Sequence, residues 1–236
     1  MKKRITFIMA LFVTIICGAQ AQGSFVLTGT EEMLNACIDN NDNIKLEADI
    51  VLTNPVSIPE DKDLTIDLNG HTLSRSMTAY DDKGSVIRVE GGGRLTLTDS
   101  SEGKTGTISG GMAINGGGIA NHGELIVQGC TITGCKASNQ GGGIFNAPGY
   151  EGGPAATMTL TGTVITVNTC LNESAANGQG GGIHNYADCT MTLTDCVVQS
   201  NRSIDAGAIF NNGTIDMTGG IITRNLSKQV GGGLWS

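Results

Sequence analysis

Acid–base cleavage of a glycan needs two carboxylates facing each other across a cleft, roughly 5–9.5 Å apart. In the repetitive part of this 236-residue chain the candidates are Asp188, Asp195, Asp205 and Asp216, which fall at different places in the repeat. A lyase would want carboxylates gathered for calcium and a Lys or Arg base. The repeats offer mainly Lys136, Arg202, Arg224 and Lys228, with Arg202 and Arg224 out of register. His71, His122 and His184 lack the spacing of a metal site or a triad. The cysteines give no zinc motif, because Cys130 and Cys135 stand five apart and Cys189 and Cys196 seven apart. Cys135 and Cys170 align closely enough to bridge if a turn bends; small buried apolar side chains are the other reading. No catalytic residue, metal ligand or cofactor is assigned, and the residues argue against catalysis more than for it.

Binding chemistry has better material. A motif Gly-Gly-Gly-Ile-x-Asn occurs at 116–121, 141–146 and 180–185, softened at 206–211 and opened again at 231–236. Its variable position reads Ala120, Phe145, His184, Phe210 and Trp235. If the neighbouring Ile points inward, a period of two turns this residue outward. Phe145, His184, Phe210 and Trp235 then make a strip of rings suited to stacking on sugar faces or on a partner protein. A ladder of rings that only stabilises coil stacking, or one covered by the loop 147–155, is the competing expectation. That loop contains Tyr150 and Glu151, and is one of two insertions: eight extra residues after Asn146 and six after Asn168. Insertions on a repetitive scaffold gather on functional surfaces, so Tyr150 and Glu151 join the candidate binding residues.

The elements that must position these residues follow from the repeat. The anchors Ile119, Ile144, Ile183, Ile209 and Leu234 are spaced 25, 39, 26 and 25 residues apart. From Ile44 onward apolar residues alternate with polar ones in short runs broken by Asn, Gly and Pro. Leu125/Val127 align with Met158/Leu160, Met191/Leu193 and Ile215/Met217, and Ile132 aligns with Ile165, Val198 and Ile222. Three short strands per repeat predict an all-β chain, a right-handed parallel β-helix of about seven coils. Two Asn columns, Asn121/Asn146/Asn185/Asn211 and Asn168/Asn201/Asn225, sit at the turns. They read as structural ladders, since Asn tolerates the left-handed conformation and stacked amides bond along a column. Residues 22–43 predict a cap, with Thr30 before Glu31-Glu32 and with Met33, Leu34, Cys37 and Ile38 on one helical face.

Residues 1–21 combine Lys2, Lys3 and Arg4 with an apolar run and Ala19-Gln20-Ala21, the pattern of a secretory signal peptide. Its removal leaves 11 basic against 22 acidic residues and six of the seven cysteines. An acidic chain without a basic patch excludes nucleic acid as an expected partner. No transmembrane helix is expected after cleavage, and the export route permits disulfides. The β-helix is expected to span 44–236 with an incomplete last coil, open to self-association.

Gly-rich Ile motifs preceded by Ile165-Thr166-Val167-Asn168, Val198-Gln199-Ser200-Asn201 and Ile222-Thr223-Arg224-Asn225 resemble the repeats of the chlamydial polymorphic outer-membrane proteins and related bacterial β-helix surface proteins. The chain departs in using Ile or Val where that family prefers Phe, and Gly where it often has Ala. The stretch Ile66-Asp67-Leu68-Asn69-Gly70-His71-Thr72-Leu73 is similar to the opening coils of many secreted bacterial β-helix proteins. The resemblance implies an exported protein, secreted or on the outer membrane, of adhesin-like function with a glycan or protein ligand. The alternatives are a polysaccharide-acting enzyme of the pectate-lyase-like class and a stalk segment of a longer surface protein.

Overall fold

In the computed structural model, which describes residues 24–149, 153–172 and 178–236, every strand pairing is parallel and four sheets run along one axis. Eight strands form the first sheet, seven the second, seven the third and five the fourth. A representative coil leaves the first sheet at Glu124–Gln128, crosses the second at Thr131–Thr133, the fourth at Lys136–Gln140 and the third at Ile144–Asn146. It then climbs to the first sheet again at Thr157–Thr161. Seven strands in the second and third sheets mean seven such coils of a parallel β-helix.

The register is like on like. Leu95, Leu125, Met158, Met191 and Ile215 pair in one row of the first sheet. Leu73, Ile108, Ile132, Ile165, Val198 and Ile222 make the row of the second. In the third, Ile87, Ile119, Ile144, Ile183, Ile209 and Leu234 align. Nearly all of these side chains are fully buried until the last coil, where Leu234 is exposed. Each buried Leu or Ile removes apolar surface worth about 1.5–3 kcal/mol from water, and stacking repeats that term coil after coil.

Two elements differ from the three-strand expectation. The fourth sheet is one: Met112–Asn115, Lys136–Gln140, Thr169–Cys170, Arg202–Asp205 and Leu226–Val230. The row at its inner side is Ala113, Ala137, Cys170, Ser203 and Ser227, residues too small or too polar to show an apolar alternation. The other is a strand at Phe25–Thr28, which pairs with Asn43–Leu46 and forms the N-terminal edge of the first sheet. The helix follows at Glu31–Asn40, with the Thr30 hydroxyl accepting from the Met33 amide and Asn41 closing it in the left-handed region at φ 59°. Leu34, Cys37 and Ile38 are buried beneath it. The Glu31 carboxylate accepts from the Thr53 amide, the Thr53 hydroxyl and the Asn54 amide, pinning the cap to the first coil.

Two Gly roles separate within the triplet. The first Gly has positive φ, 66° at Gly116 and 62° at Gly141. The second has backbone against it on both sides: a Cβ on Gly142 would lie 2.3 Å from the Gly181 carbonyl and 2.7 Å from Thr169. Gly142→Ala is therefore expected to cost about 3 kcal/mol or more, read as a lower urea midpoint. A midpoint unchanged from the parent would contradict this packing.

Both Asn columns are hydrogen-bonded ladders. Asn121 donates to Asn146, Asn146 to Asn185 and Asn185 to Asn211, at 2.6, 2.7 and 2.8 Å. In the second column Asn168 donates to Asn201 and Asn201 to Asn225, while their amides also reach the Ile132 and Ile165 carbonyls. All but Asn225 are buried, so each amide substitutes for water that cannot reach the turn.

Candidate functional site

The variable position of Ile-x-Asn lies on the outer side of the third sheet. Strand pairing fixes its column as Ser57, Arg88, Ala120, Phe145, His184, Phe210 and Trp235. The rings do not form an open strip. Phe145 is 6% exposed, His184 0% and Phe210 5%, whereas Trp235 keeps 38%. They pack on one another instead: Phe145 and His184 lie 5.6 Å apart, His184 and Phe210 5.1 Å at 9°, Phe210 and Trp235 4.3 Å at 17°. The ladder expectation describes Phe145, His184 and Phe210, and an accessible strip through them is corrected. Tyr150 and Glu151 lie outside the described residues.

His184 is the least comfortable member. Neither ring nitrogen completes a hydrogen bond, and burial holds its pKa down at about 4, with the Gln179 backbone opposing the shift. The imidazole is neutral at pH 7 and serves as a flat apolar plate.

Where the ladder stops, a cleft opens. A recess of about 550 Å³ lies over Ala120, with Phe145, Tyr186 and His122 presenting rings, Ala147 and Ile114 apolar surface, and Asn115 and Gln140 amides. Asp82, Lys83 and Arg88 supply its charges. Phe145 meets His122 edge to face at 5.9 Å and Tyr186 at 6.3 Å, so one ring contacts both walls. A second recess, of about 410 Å³, continues past His122 and Gly149 toward Pro59, Glu60 and Glu90.

Local chemistry builds each wall. Pro148 accepts from His122 Nδ1 at 3.0 Å, which assigns the proton to that nitrogen and seats the inserted loop against the coil below. Gly149 and Gly91 pack backbone to backbone across the same gap. On the other side Arg75 donates to the Thr53, Lys83 and Ser85 carbonyls, fixing the segment that carries Asp82 and Lys83. Asn115 accepts from Asn139 through Oδ1, and Gln140 donates to Gln179 through Nε2. Each bond orients an amide by one end. The Asn115 NH₂ and the Gln140 Oε1 make no hydrogen bond among the described residues, and both side chains line the recess.

Asp188 and Asp195 occupy turns at positive φ, Asp205 ends a strand of the fourth sheet and Asp216 lies in the first, so they do not converge. Among the described residues no three of His, Cys, Asp and Glu gather as a metal cluster. Cys135 and Cys170 are buried free thiols rather than a disulfide, and burial pushes both up to about 12, far from a reactive thiolate. Among the described residues no helix is long and apolar enough to cross a membrane.

The sequence reading named Ala120 and His122 without giving them this role, and it missed Arg88, Asn115, Gln140 and Tyr186. Tyr186 directly follows an Ile-x-Asn motif, a signal available in the sequence. Arg88 belongs to a coil that lacks the Gly triplet ahead of its Ile, so its place in the ring column emerges only from strand pairing. The first sheet also presents an exposed threonine array, Thr157, Thr159, Thr161, Thr190 and Thr192, which has hydroxyls at coil spacing but no recess. No protein-family model matches the chain, and neither does any curated protein or solved structure, so the functional argument rests on this cleft.

Proposed function

We propose that this protein is an exported, adhesin-like binding module, non-catalytic, that takes a glycan in the cleft over Ala120. The observation that carries the proposal is the lining: the exposed ring of Tyr186 next to the amide side chains of Asn115 and Gln140, each held at one end by a hydrogen bond. A sugar offers the same pair, an apolar face of C–H groups and a rim of hydroxyls. The size argues for a glycan over a protein ligand. A stable protein contact covers about 800 Å² per partner, whereas a recess of a few hundred Å³ is the scale of small ligands. The signal-peptide pattern of residues 1–21 and the resemblance to bacterial β-helix surface proteins support the exported half of the proposal.

A glycan array probed with the protein and with Tyr186→Ala tests it. Tyr186 is 41% exposed, so its loss leaves the core intact. Binding to the retained glycans is expected to fall about five- to tenfold, in line with stacking contributions of about 1–1.5 kcal/mol. Undiminished binding by Tyr186→Ala would remove the cleft as the site, and release of new reducing or unsaturated ends from a bound glycan would replace binding by catalysis.

A further inference from the structure

The sequence Thr-Met-Thr-Leu-Thr occurs at 157–161 and again at 190–194, and Thr214-Ile215-Asp216-Met217-Thr218 follows one coil later. These strands are neighbours in the first sheet and pair residue for residue without a shift. Met158, Leu160, Met191 and Leu193 turn inward and are buried. The threonines between them therefore stand on the outer face, and all but the half-buried Thr194 are exposed. Among the described residues their hydroxyls have no hydrogen-bond partner. These residues bond through main-chain atoms instead, as when the Thr161 carbonyl accepts from Thr163 and the Thr190 carbonyl from Asn146.

The array is regular in two directions. Its columns run from strand to strand at about 4.8 Å, and its rows are two residues apart, about 6.7 Å. Stacked Asn columns and like-on-like core rows are the kind of ladder that suppresses sheet twist, which keeps the columns in line from coil to coil. The β-branch leaves threonine few χ1 states, so little side-chain freedom is lost on contact. In a chain of net charge −8, Asp216 is the one charge on these strands. Arg94 and Glu124, paired at 3.2 Å, lie on the strands before the array. The matching surface is therefore uncharged, repeats in two dimensions and both donates and accepts hydrogen bonds. A prism face of hexagonal ice has these properties, and its two oxygen repeats lie close to the two spacings of the array. A soluble small ligand has no such repeat and needs a concave site.

We propose that the threonine face of the first sheet binds the surface of ice crystals. The hydroxyls join the outermost layer of lattice water and the methyls settle between its molecules, so the protein adsorbs through many weak contacts at once. Adsorbed molecules pin the growing surface and slow its advance. This activity is separate from the cleft and does not depend on glycan binding.

The test is partition into ice. Ice grown slowly from a solution of the protein is melted, and its protein content is compared with that of the remaining liquid; serum albumin, pushed ahead of the front, sets the excluded level. The parent is expected in the ice at least about fivefold above albumin. Thr159→Lys and Thr192→Lys each raise a charged chain in the middle column, and should fall to within about twofold of albumin. Both positions are exposed strand sites where Lys leaves Tm nearly unchanged. Val51→Lys, an exposed position on the outer face of the second sheet, should partition like the parent. Exclusion of the parent at the albumin level overturns the proposal. So does parent-like partition of Thr159→Lys and Thr192→Lys, or an equal loss in Val51→Lys. On the glycan array Thr192→Lys should match the parent. Loss of glycan signal with ice adsorption retained would give the face to a carbohydrate and overturn both this proposal and the cleft reading.

Discussion

Asn146→Leu is expected to destabilise the protein by about 3 kcal/mol, although the two side chains differ little in size. Asn146 is fully buried, accepts from Asn121 at 2.6 Å and donates to Asn185 at 2.7 Å and to the Thr190 carbonyl at 3.3 Å. An isobutyl group does neither. Asn121 keeps the Thr157 carbonyl at 3.0 Å, but Asn185 Oδ1 loses its donor inside the protein. A buried acceptor left alone costs about 1–3 kcal/mol, and the other lost bonds add about 1 kcal/mol. Urea unfolding should show the midpoint falling with the slope unchanged. A loss below about 1 kcal/mol would mean that the turns are held by their backbone alone. Asn211→Leu, nearer the final coil, serves as the internal comparison: Asn211 accepts from Asn185 and donates onward to Ser236 and the Gly213 carbonyl.

His184→Phe is expected to do the reverse and to remove a pH dependence. The imidazole is buried with both nitrogens unbonded, and its pKa falls from about 6.5 to about 4 on folding. As pH drops below 6.5 the unfolded chain takes up a proton that the folded chain refuses, so stability declines through that interval. The decline is complete once pH passes the folded value near 4, and totals on the order of 3 kcal/mol. A phenyl ring continues the stack between Phe145 and Phe210 without that penalty, and it spares two unpaired nitrogens at neutral pH. The parent should therefore lose urea midpoint between pH 7 and 4.5 while His184→Phe holds its own. A parent indifferent to pH over that range would contradict the burial of His184. Below pH 4 both proteins should weaken together through Asp67 and Asp99. Burial alone would raise these carboxyl pKa values, but hydrogen bonds to Asp67 from Ser100, Asn69 and Lys45, and to Asp99 from Gly106, Ser101 and Gly70, outweigh it and lower them. Groups lowered on folding contribute stability above their unfolded pKa and forfeit it as pH falls through the folded one.

The coils were legible in the sequence because the side chains that report them are large and periodic. Ile119, Ile144, Ile183 and Ile209 pair in the register that alignment of the Gly motifs predicts, and the Asn columns bond as turns of this kind require. The fourth sheet was not legible because Ala113, Ala137, Cys170 and Ser203 give no apolar alternation, although their backbones pair in parallel. For the ring column the sequence left two outcomes open, an accessible strip or a stacked ladder, and the structure has the ladder. Period two turns Phe145 and His184 away from the core, yet burial depends on the rings of neighbouring coils, which a one-dimensional pattern does not contain. The cleft was half legible: Ala120 was visible as the one small residue in a column of rings, but Arg88 becomes its neighbour only through pairing across coils that share no motif.

The central claim is that the cleft at the end of the ring ladder, and not the threonine face of the first sheet, receives the glycan ligand. The most direct measurement is a methyl-resolved NMR titration with the glycan that the array binds most tightly, following the Ala120 and Ala147 methyls against those of Thr159 and Thr192. A ligand held in the cleft should shift Ala120 and Ala147 in a saturable way and leave the threonine methyls where they were. Saturable shifts at Thr159 and Thr192 with Ala120 unmoved would place binding on the flat sheet and contradict the account.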